Sequence, residues 1–378
     1  MNDEPAGRSS FVVHPSSFPK VAVVHDWLTG MRGGEAVLEG ILDLVPDAEI
    51  FTLFHFPGSV SEKIESRTIH TSSLQRTAGK ASDYRMLLPF FPRAIRELDL
   101  GGFDLVISSS HCVAKGVDAK GKPHVTYCHT PMRYIWDRFD DYFPRSKPLR
   151  RMAARVVAAR LRRWDVATNA GVTRFVANSQ FVRDRIRRFY DRDSVVIHPF
   201  VDDAFLDAPL ESERDDYHLI VSALVPYKRV DLAVAAAEAS GKKLVVIGGG
   251  PLLDRLRSQV TPNVRFLGHV SRETVIRQMS RAQSLVLAGI EDFGITPLEA
   301  MALGTPVITV NAGGALDSVL PEATGIFFEG GMVDSLRRAL DEAERRAWDR
   351  AALRAHAATF SRGRFQQQFS EELRRVVD

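Results

Sequence analysis

Three side chains in the second half of this chain stand where they could do chemistry: Lys228, Glu291 and Glu299. Each lies in or beside a turn between a short apolar run and a helix start. Residues 284–304, SLVLAGIEDFGITPLEAMALG, show the pattern best. Residues 284–288 form an apolar run of the length a buried parallel strand needs. Gly289 and Gly294 bracket a turn, and Thr296-Pro297-Leu298-Glu299 reads as a helix start with Thr at N-cap, Pro at N1 and Glu at N3. Such a turn aims backbone N–H groups and the positive end of a helix dipole at an anion. Glu291 and Glu299 flank it, so the ligand should offer hydroxyls as well as phosphate. A nucleotide sugar is such a ligand. Glu299 has a second reading, because in a T-x-x-E box its carboxylate bonds back to the N-cap amide. Glu291 has no local role of that kind, although acids in loops are commonly just solvated.

The chain must supply elements to hold these groups. Its 378 residues suggest two domains, since single cores rarely grow past about 250–300 residues. A hydrophobic content of 45% with 26% charged residues is that of a soluble globular protein. No run approaches the ~18 apolar residues of a membrane span. The first residues are acidic, without a sustained apolar stretch, so they do not read as a secretory signal. Residues 1–19 are expected to form a disordered leader. Cys112 and Cys128, the two cysteines, lack metal-type spacing and fit a reducing cytosol. A cytoplasmic protein is the expectation.

Repeated strand–loop–helix units run along the chain. Residues 20–25 form a strand that enters DWLTGMRGGE, where Gly33 and Gly34 open a helix with an apolar face. The pair is either a simple turn or a point of close backbone approach to a ligand, and its place after a first strand favours the ligand. Strands follow at 50–54, 103–108 and 124–129, the last delivering His129 into a loop with Arg133, Tyr134, Trp136 and Asp137. Tyr and Trp faces suit sugar rings. Residues 174–178 and 194–199 add two strands around the helix opened by Ser179. The acidic stretch 205–216 reads as a linker. Beyond it come strands at 217–222, 244–247 and 263–267, ending near Lys228-Arg229, Gly248-Gly249-Gly250 and Gly268. The last segment, 360–378, is an amphipathic helix carrying Phe365, Phe369 and Leu373. The alternation means doubly wound parallel α/β sheets in two Rossmann-like domains, 20–204 and 217–359, with ligand loops facing an interdomain cleft.

Residues 145–163, RSKPLRRMAARVVAARLRR, hold eight basic residues and no acid. They form either a solvated helix with Leu149, Met152, Val156 and Val157 turned inward, or a surface for anionic lipid. No aromatic-interleaved basic sheet or reader motif points to nucleic acid.

With these residues in view, the chain resembles the retaining GT-B glycosyltransferases of family 4 from residue 20 to its end. The E-x7-E signature, Glu291 to Glu299 with AMALGTPVI after it, carries the resemblance most specifically. GGE at Gly33–Glu35, YCHTPMRYIWD at residues 127–137, ANSQFV, VPYKRVDL and GGGP match as well. The HTPMRYIWD and VPYKR stretches are similar to a bacterial mannosyltransferase subgroup.

The resemblance implies a role for each matching residue. Glu299 holds the nucleotide ribose and Glu291 the donor-sugar hydroxyls. Phe293, Gly294, Ile295 and Thr296 line the sugar and diphosphate with backbone amides, and Lys228 binds the diphosphate. Gly33 and Gly34 approach the phosphate and acceptor, His129 meets the donor sugar, and the loop after Leu267, with Gly268, frames the base. His129, Lys228 and Glu291 are thus the expected catalytic set. The final helix crosses back to the first domain. One departure stands out: where many members carry an arginine before that lysine, this chain has Ala223, so Arg229 or a first-domain arginine must compensate, or Lys228 acts alone.

The implied reaction moves a sugar, mannose from GDP-mannose in the first instance, onto a lipid-linked or oligosaccharide acceptor with retention, for cell-surface polysaccharide. No cofactor and no metal are expected. Asp191-Arg192-Asp193 has the D-x-D form of metal-dependent transferases but follows a helix, away from any glycine loop. The alternatives are a UDP-sugar-dependent transferase, an epimerase or phosphorylase of the same architecture, and a non-catalytic nucleotide-sugar-binding module. A Rossmann oxidoreductase is excluded, because Leu253 stands at the sixth position of G-x-G-x-x-G.

Overall fold

Short β-branched runs punctuated by glycine fold here as parallel strands buried on both faces. The structure, a computed structural model, describes residues 20–78, 84–143, 145–146, 148–258 and 261–377. The expected leader, 1–19, lies outside the described residues.

The first sheet contains β1 (Val21–His25), β2 (Glu49–Thr52), β3 (Ile69–Thr71), β4 (Leu105–Ser110), β5 (His124–Cys128), β6 (Arg174–Ala177) and β7 (Ser194–Val196). Its order is β3-β2-β1-β4-β5-β6-β7. The second contains β8 (Tyr217–Val221), β9 (Lys243–Ile247), β10 (Val264–Gly268), β11 (Leu285–Leu287), β12 (Val307–Val310) and β13 (Gly325–Phe328), in the order β10-β9-β8-β11-β12-β13. In both sheets the order reverses beside the first strand, between β1 and β4 and between β8 and β11. Loops leaving the carboxyl ends of those strands diverge, and that is where open α/β sheets take ligands.

The expected strands are present with ends shifted by a residue or two, except that the one expected at 194–199 stops at Val196. β3, β12 and β13 lack a sequence expectation; β3 is three residues long, and β12 and β13 are four each. Two apolar clusters cover the faces of the second sheet, one through Leu224, Val246 and Ile308, the other through Leu219, Leu298 and Met301.

Packing divides the chain into two compact units. One takes the described parts of Met1–Tyr127, Ala167–Phe175 and Arg362–Asp378; the other takes Cys128–Val166 and Val176–Ser361. In the first unit the last helix, Arg362–Val377, buries Phe365, Phe369 and Leu373. It lies on the helix Gly33–Leu44, with Arg362 on Asp43 at 3.1 Å. In the second, part of the stretch read as a linker folds as a short helix, Asp203–Asp207, which Asp202 caps through the Ala204 N–H at 2.9 Å.

Candidate functional site

Lys228 ends a 3-10 turn, Pro226–Lys228, in the loop after β8, and Glu291 follows β11. The two strands lie side by side at the reversal point, so their loops leave in register. Gly289 lets the loops touch: a Cβ there would lie 2.3 Å from the Tyr227 carbonyl oxygen and 2.7 Å from the Lys228 Cα. The Lys228 ammonium consequently forms an ion pair with the Glu291 carboxylate, both largely buried. A second close approach braces the turn from behind. Gly314 donates its N–H to the Glu291 carbonyl at 2.9 Å, and a Cβ on it would fall 2.0 Å from the Asp292 carbonyl oxygen.

Asp292 is the hub of a network the sequence did not disclose. Its carboxylate is paired with Arg133 and takes Arg185 Nη1 at 2.6 Å. Arg185 also reaches Asp137 at 2.8 Å and Thr130. Burial works against the Arg133 charge, but Asp292, Tyr227 and Glu291 hold its pKa above the ordinary arginine value. The ANSQ motif stitches the same loops. Asn178 Nδ2 donates to the His129 carbonyl at 3.0 Å, and the Ser179 hydroxyl donates to the Asp292 carbonyl at 2.5 Å while capping the helix Gln180–Tyr190. His129 itself is half-buried just past β5.

Arg229 does not reach this cluster's carboxylates. It takes the left-handed conformation, φ 51°, between the 3-10 turn and the next helix, and pairs with Asp231 at 3.3 Å. The cations beside Lys228 are Arg133 and Arg138, whose guanidiniums sit 5.5 and 6.0 Å from the Tyr227 ring centre, with the Lys228 ammonium at 5.6 Å. Trp136, expected to offer a sugar platform, instead stacks on Phe189 at 4.7 Å and donates its indole N–H to Asp165 at 2.8 Å.

The helix start is one residue out of the expected register. The helix is Thr296–Ala302, with Ile295 at N-cap and Thr296 at N1, and no side chain caps it. The Thr296–Glu299 capping box is therefore corrected: Glu299 sits one position too late, and its own N–H bonds the Ile295 carbonyl at 3.1 Å. Glu299 makes no side-chain hydrogen bond or ion pair among the described residues, and burial raises its pKa to about 7. A half-buried carboxyl with no hydrogen-bond partner among the described residues is suited to receive hydroxyl donors.

The remaining expected residues divide by location. Gly294, φ 85°, turns the chain into the helix. The Phe293 ring is buried and stacks on His198 at 5.4 Å, so only its backbone is left for a ligand; Ile295 packs partly against the core. Gly268 ends β10 with φ 71°, its carbonyl accepting the Gly248 N–H at 2.8 Å. Gly33 and Gly34 belong to the other unit, where they open the helix Gly33–Leu44. Asp191, of the D-x-D stretch, closes the helix Gln180–Tyr190 in a left-handed turn, φ 52°.

Comparison with known proteins places this geometry. Residues 201–360 match the family described as glycosyl transferases group 1, and residues 50–205 match glycosyltransferase family 4. A GDP-mannose-dependent monoacylated alpha-(1-6)-phosphatidylinositol monomannoside mannosyltransferase of Corynebacterium glutamicum is 36% identical over 155 residues, 36% of this chain and 40% of that protein. A GDP-mannose-dependent alpha-(1-6)-phosphatidylinositol monomannoside mannosyltransferase of Mycobacterium tuberculosis is 35% identical over 140 residues, 32% of this chain and 36% of that protein. The chain thus matches about two fifths of the length of these curated relatives. Among solved structures, Anabaena HepE in complex with UDP and glucose superposes with a TM-score of 0.70 at 18% identity, over 94% of this chain and 99% of that one. A sucrose-phosphate synthase from Thermosynechococcus elongatus does so with a TM-score of 0.66 at 16% identity, over 94% and 98%. Two parallel sheets that each reverse beside their first strand, with family models meeting end to end across most of the chain, lead to one conclusion: this protein belongs to glycosyltransferase family 4 and has the GT-B fold.

Proposed function

We propose that the protein transfers mannose from GDP-mannose to a lipid-linked or oligosaccharide acceptor, retaining the anomeric configuration. The observation that carries the reading is the juxtaposition of Lys228 with Glu291 at the β8/β11 reversal, eight positions before Glu299 in the following helix turn. Mannose and GDP rest on the matching motifs and on the names of the relatives in Corynebacterium and Mycobacterium.

Each group then has a task. Glu299 accepts the ribose hydroxyls. Glu291, released from Lys228 when phosphate arrives, turns its carboxylate to the sugar hydroxyls. Lys228 and Arg133 face the diphosphate, Arg133 taking the part that Ala223 leaves vacant. As the C1–O bond breaks, negative charge grows on the leaving phosphate, and cations fixed beforehand stabilise it without reorganising. Removing one such donor typically costs about 3–4 kcal/mol in the barrier. The leaving phosphate takes the acceptor's proton, so neither glutamate need act as a nucleophile. With side-chain cations in place, the transfer proceeds without a metal. The acceptor is met at an anionic membrane face through the basic helix Pro148–Ala167.

The test is thermal-shift screening of the full chain with GDP-mannose, UDP-glucose, UDP-galactose and UDP-N-acetylglucosamine, followed by turnover of the ligand that binds, with and without EDTA. GDP-mannose is expected to stabilise selectively; at a hundred times its Kd the gain is about 2.7 kcal/mol. Lys228→Ala is expected to lower kcat far more than affinity. Binding without turnover across an acceptor panel would mark a sugar-nucleotide-binding module instead, and magnesium-dependent recovery from EDTA would assign the charge to a metal.

A further inference from the structure

The ion pair between Lys228 and Glu291 is closed on itself. The two side chains are only 19% and 13% exposed, so water does little to screen them. Neither makes another hydrogen bond or ion pair among the described residues. The neighbouring arginines are drawn to other carboxylates. Arg133 is paired with Asp292, Arg185 bonds Asp292 and Asp137 at 2.6 and 2.8 Å, and Arg138 lies 3.5 Å from Asp141. Nor can the backbone carry the pair apart. Gly314 holds the Glu291 carbonyl at 2.9 Å, and Gly289 leaves no space between its own loop and the Lys228 backbone.

An anion that takes Lys228 therefore leaves a carboxylate without its cation and beside a second negative charge. In a place poorly reached by water that arrangement is costly. A ligand offsets the cost only by bringing hydrogen-bond donors, because an ionised carboxylate can do nothing but accept. A sugar on the terminal phosphate brings hydroxyls at that point. A bare nucleoside diphosphate brings none. Charge alone would order the two ligands the other way. A free terminal phosphate is more negative than one esterified to a sugar, so lysine and arginine should draw the bare diphosphate harder.

We propose that the Lys228–Glu291 pair is what tells a nucleotide sugar from the nucleoside diphosphate left after transfer. Either ligand must displace Glu291 from Lys228, and only the sugar's hydroxyls compensate the carboxylate. The product nucleotide is thereby released and does not stay as an inhibitor. The inference rests on the donor reading proposed above and adds to it an order of affinities.

Isothermal titration calorimetry of the full chain with GDP, GDP-mannose, UDP and UDP-glucose tests it. Within the nucleotide that binds, the wild type is expected to prefer the sugar ester by about tenfold or more, comparable to one hydrogen bond to a charged group. Glu291→Gln keeps the shape and removes the charge. In that variant GDP affinity is expected to rise about tenfold, while GDP-mannose affinity rises less or falls, so the preference shrinks. Inhibition of turnover by added GDP should strengthen in step. A wild type that binds the bare diphosphate as tightly as the sugar ester overturns the proposal, and that comparison needs no variant to fold. So does a Glu291→Gln chain of wild-type melting temperature whose affinity for the bare diphosphate is unchanged or lower. The expected pattern seen with UDP and UDP-glucose alone would overturn the GDP-mannose assignment and leave the role of the pair standing. If the wild type binds none of the four, both readings fall.

Discussion

Glu299 shows how one residue's surroundings change its chemistry. A glutamate at N3 of a capping box would be satisfied by its own helix; here the helix starts at Thr296, and the half-buried carboxyl has no hydrogen-bond partner among the described residues. Its folded pKa of about 7 lies above the ordinary 4.5, so the unliganded protein is most favoured while the group is protonated and loses that stability as pH rises toward and through 7. Glu299→Gln is therefore expected to raise the melting temperature above pH 7, with the gain vanishing near pH 4.5. Ribose hydroxyls bind the ionised form, so GDP-mannose affinity should climb as pH rises to about 7 and then level, with proton release in calorimetry; the Gln variant should lack that slope. A melting difference that ran opposite to pH would show the carboxylate to be paired.

Among the elements, the two loops at the β8/β11 reversal depend on one missing side chain. Gly289 has no room for a methyl group, since the obstructing atoms are backbone of Tyr227 and Lys228 and cannot rotate away. Gly289→Ala should push the lysine loop off Glu291, cost about 1–3 kcal/mol in denaturant unfolding as an overpacked core change does, and abolish the GDP-mannose shift. Wild-type donor binding in that variant would mean the two loops act separately. The sequence identified Gly289 only as part of a turn. Its partner loop lies some sixty residues away in sequence, and only the pairing of β8 with β11 shows what the glycine is for.

Across the whole molecule, the basic helix Pro148–Ala167 departs from the inward-facing alternative. Leu149, Met152 and Val156 are 78%, 62% and 53% exposed, at positions i, i+3 and i+7 of one face. Arg150, Arg155, Arg160 and Arg163 are exposed along the helix, and its one acid, Asp165, is buried. Among the described residues no helix is long and apolar enough to cross a membrane. An apolar stripe rimmed by arginines suits the surface of an anionic bilayer instead. The protein should float with vesicles containing about one third phosphatidylglycerol and stay behind with pure phosphatidylcholine. Replacing Arg150, Arg155 and Arg160 by Ser should weaken binding by about 3 kcal/mol, roughly a hundredfold. Equal binding to neutral vesicles, or none to anionic ones, would discard the membrane as partner.

By itself the sequence determined the parallel α/β architecture, the family, and the turns around Lys228, Glu291 and Glu299, because strand length, glycine loops and helix starts are written in neighbouring residues. Only the tertiary structure decided who meets whom. Asp292 with Arg133 and Arg185, Asp26 with His111, and Asn178 with His129 join residues 49 to 159 positions apart in sequence. Local spacing carries no information about such pairs, since the strand order that brings them together is set by how whole sheets bury their faces. The same limit explains Trp136 and the helix of exposed Leu149: whether an apolar side chain turns toward the core or the solvent depends on what the rest of the chain leaves for it to pack against.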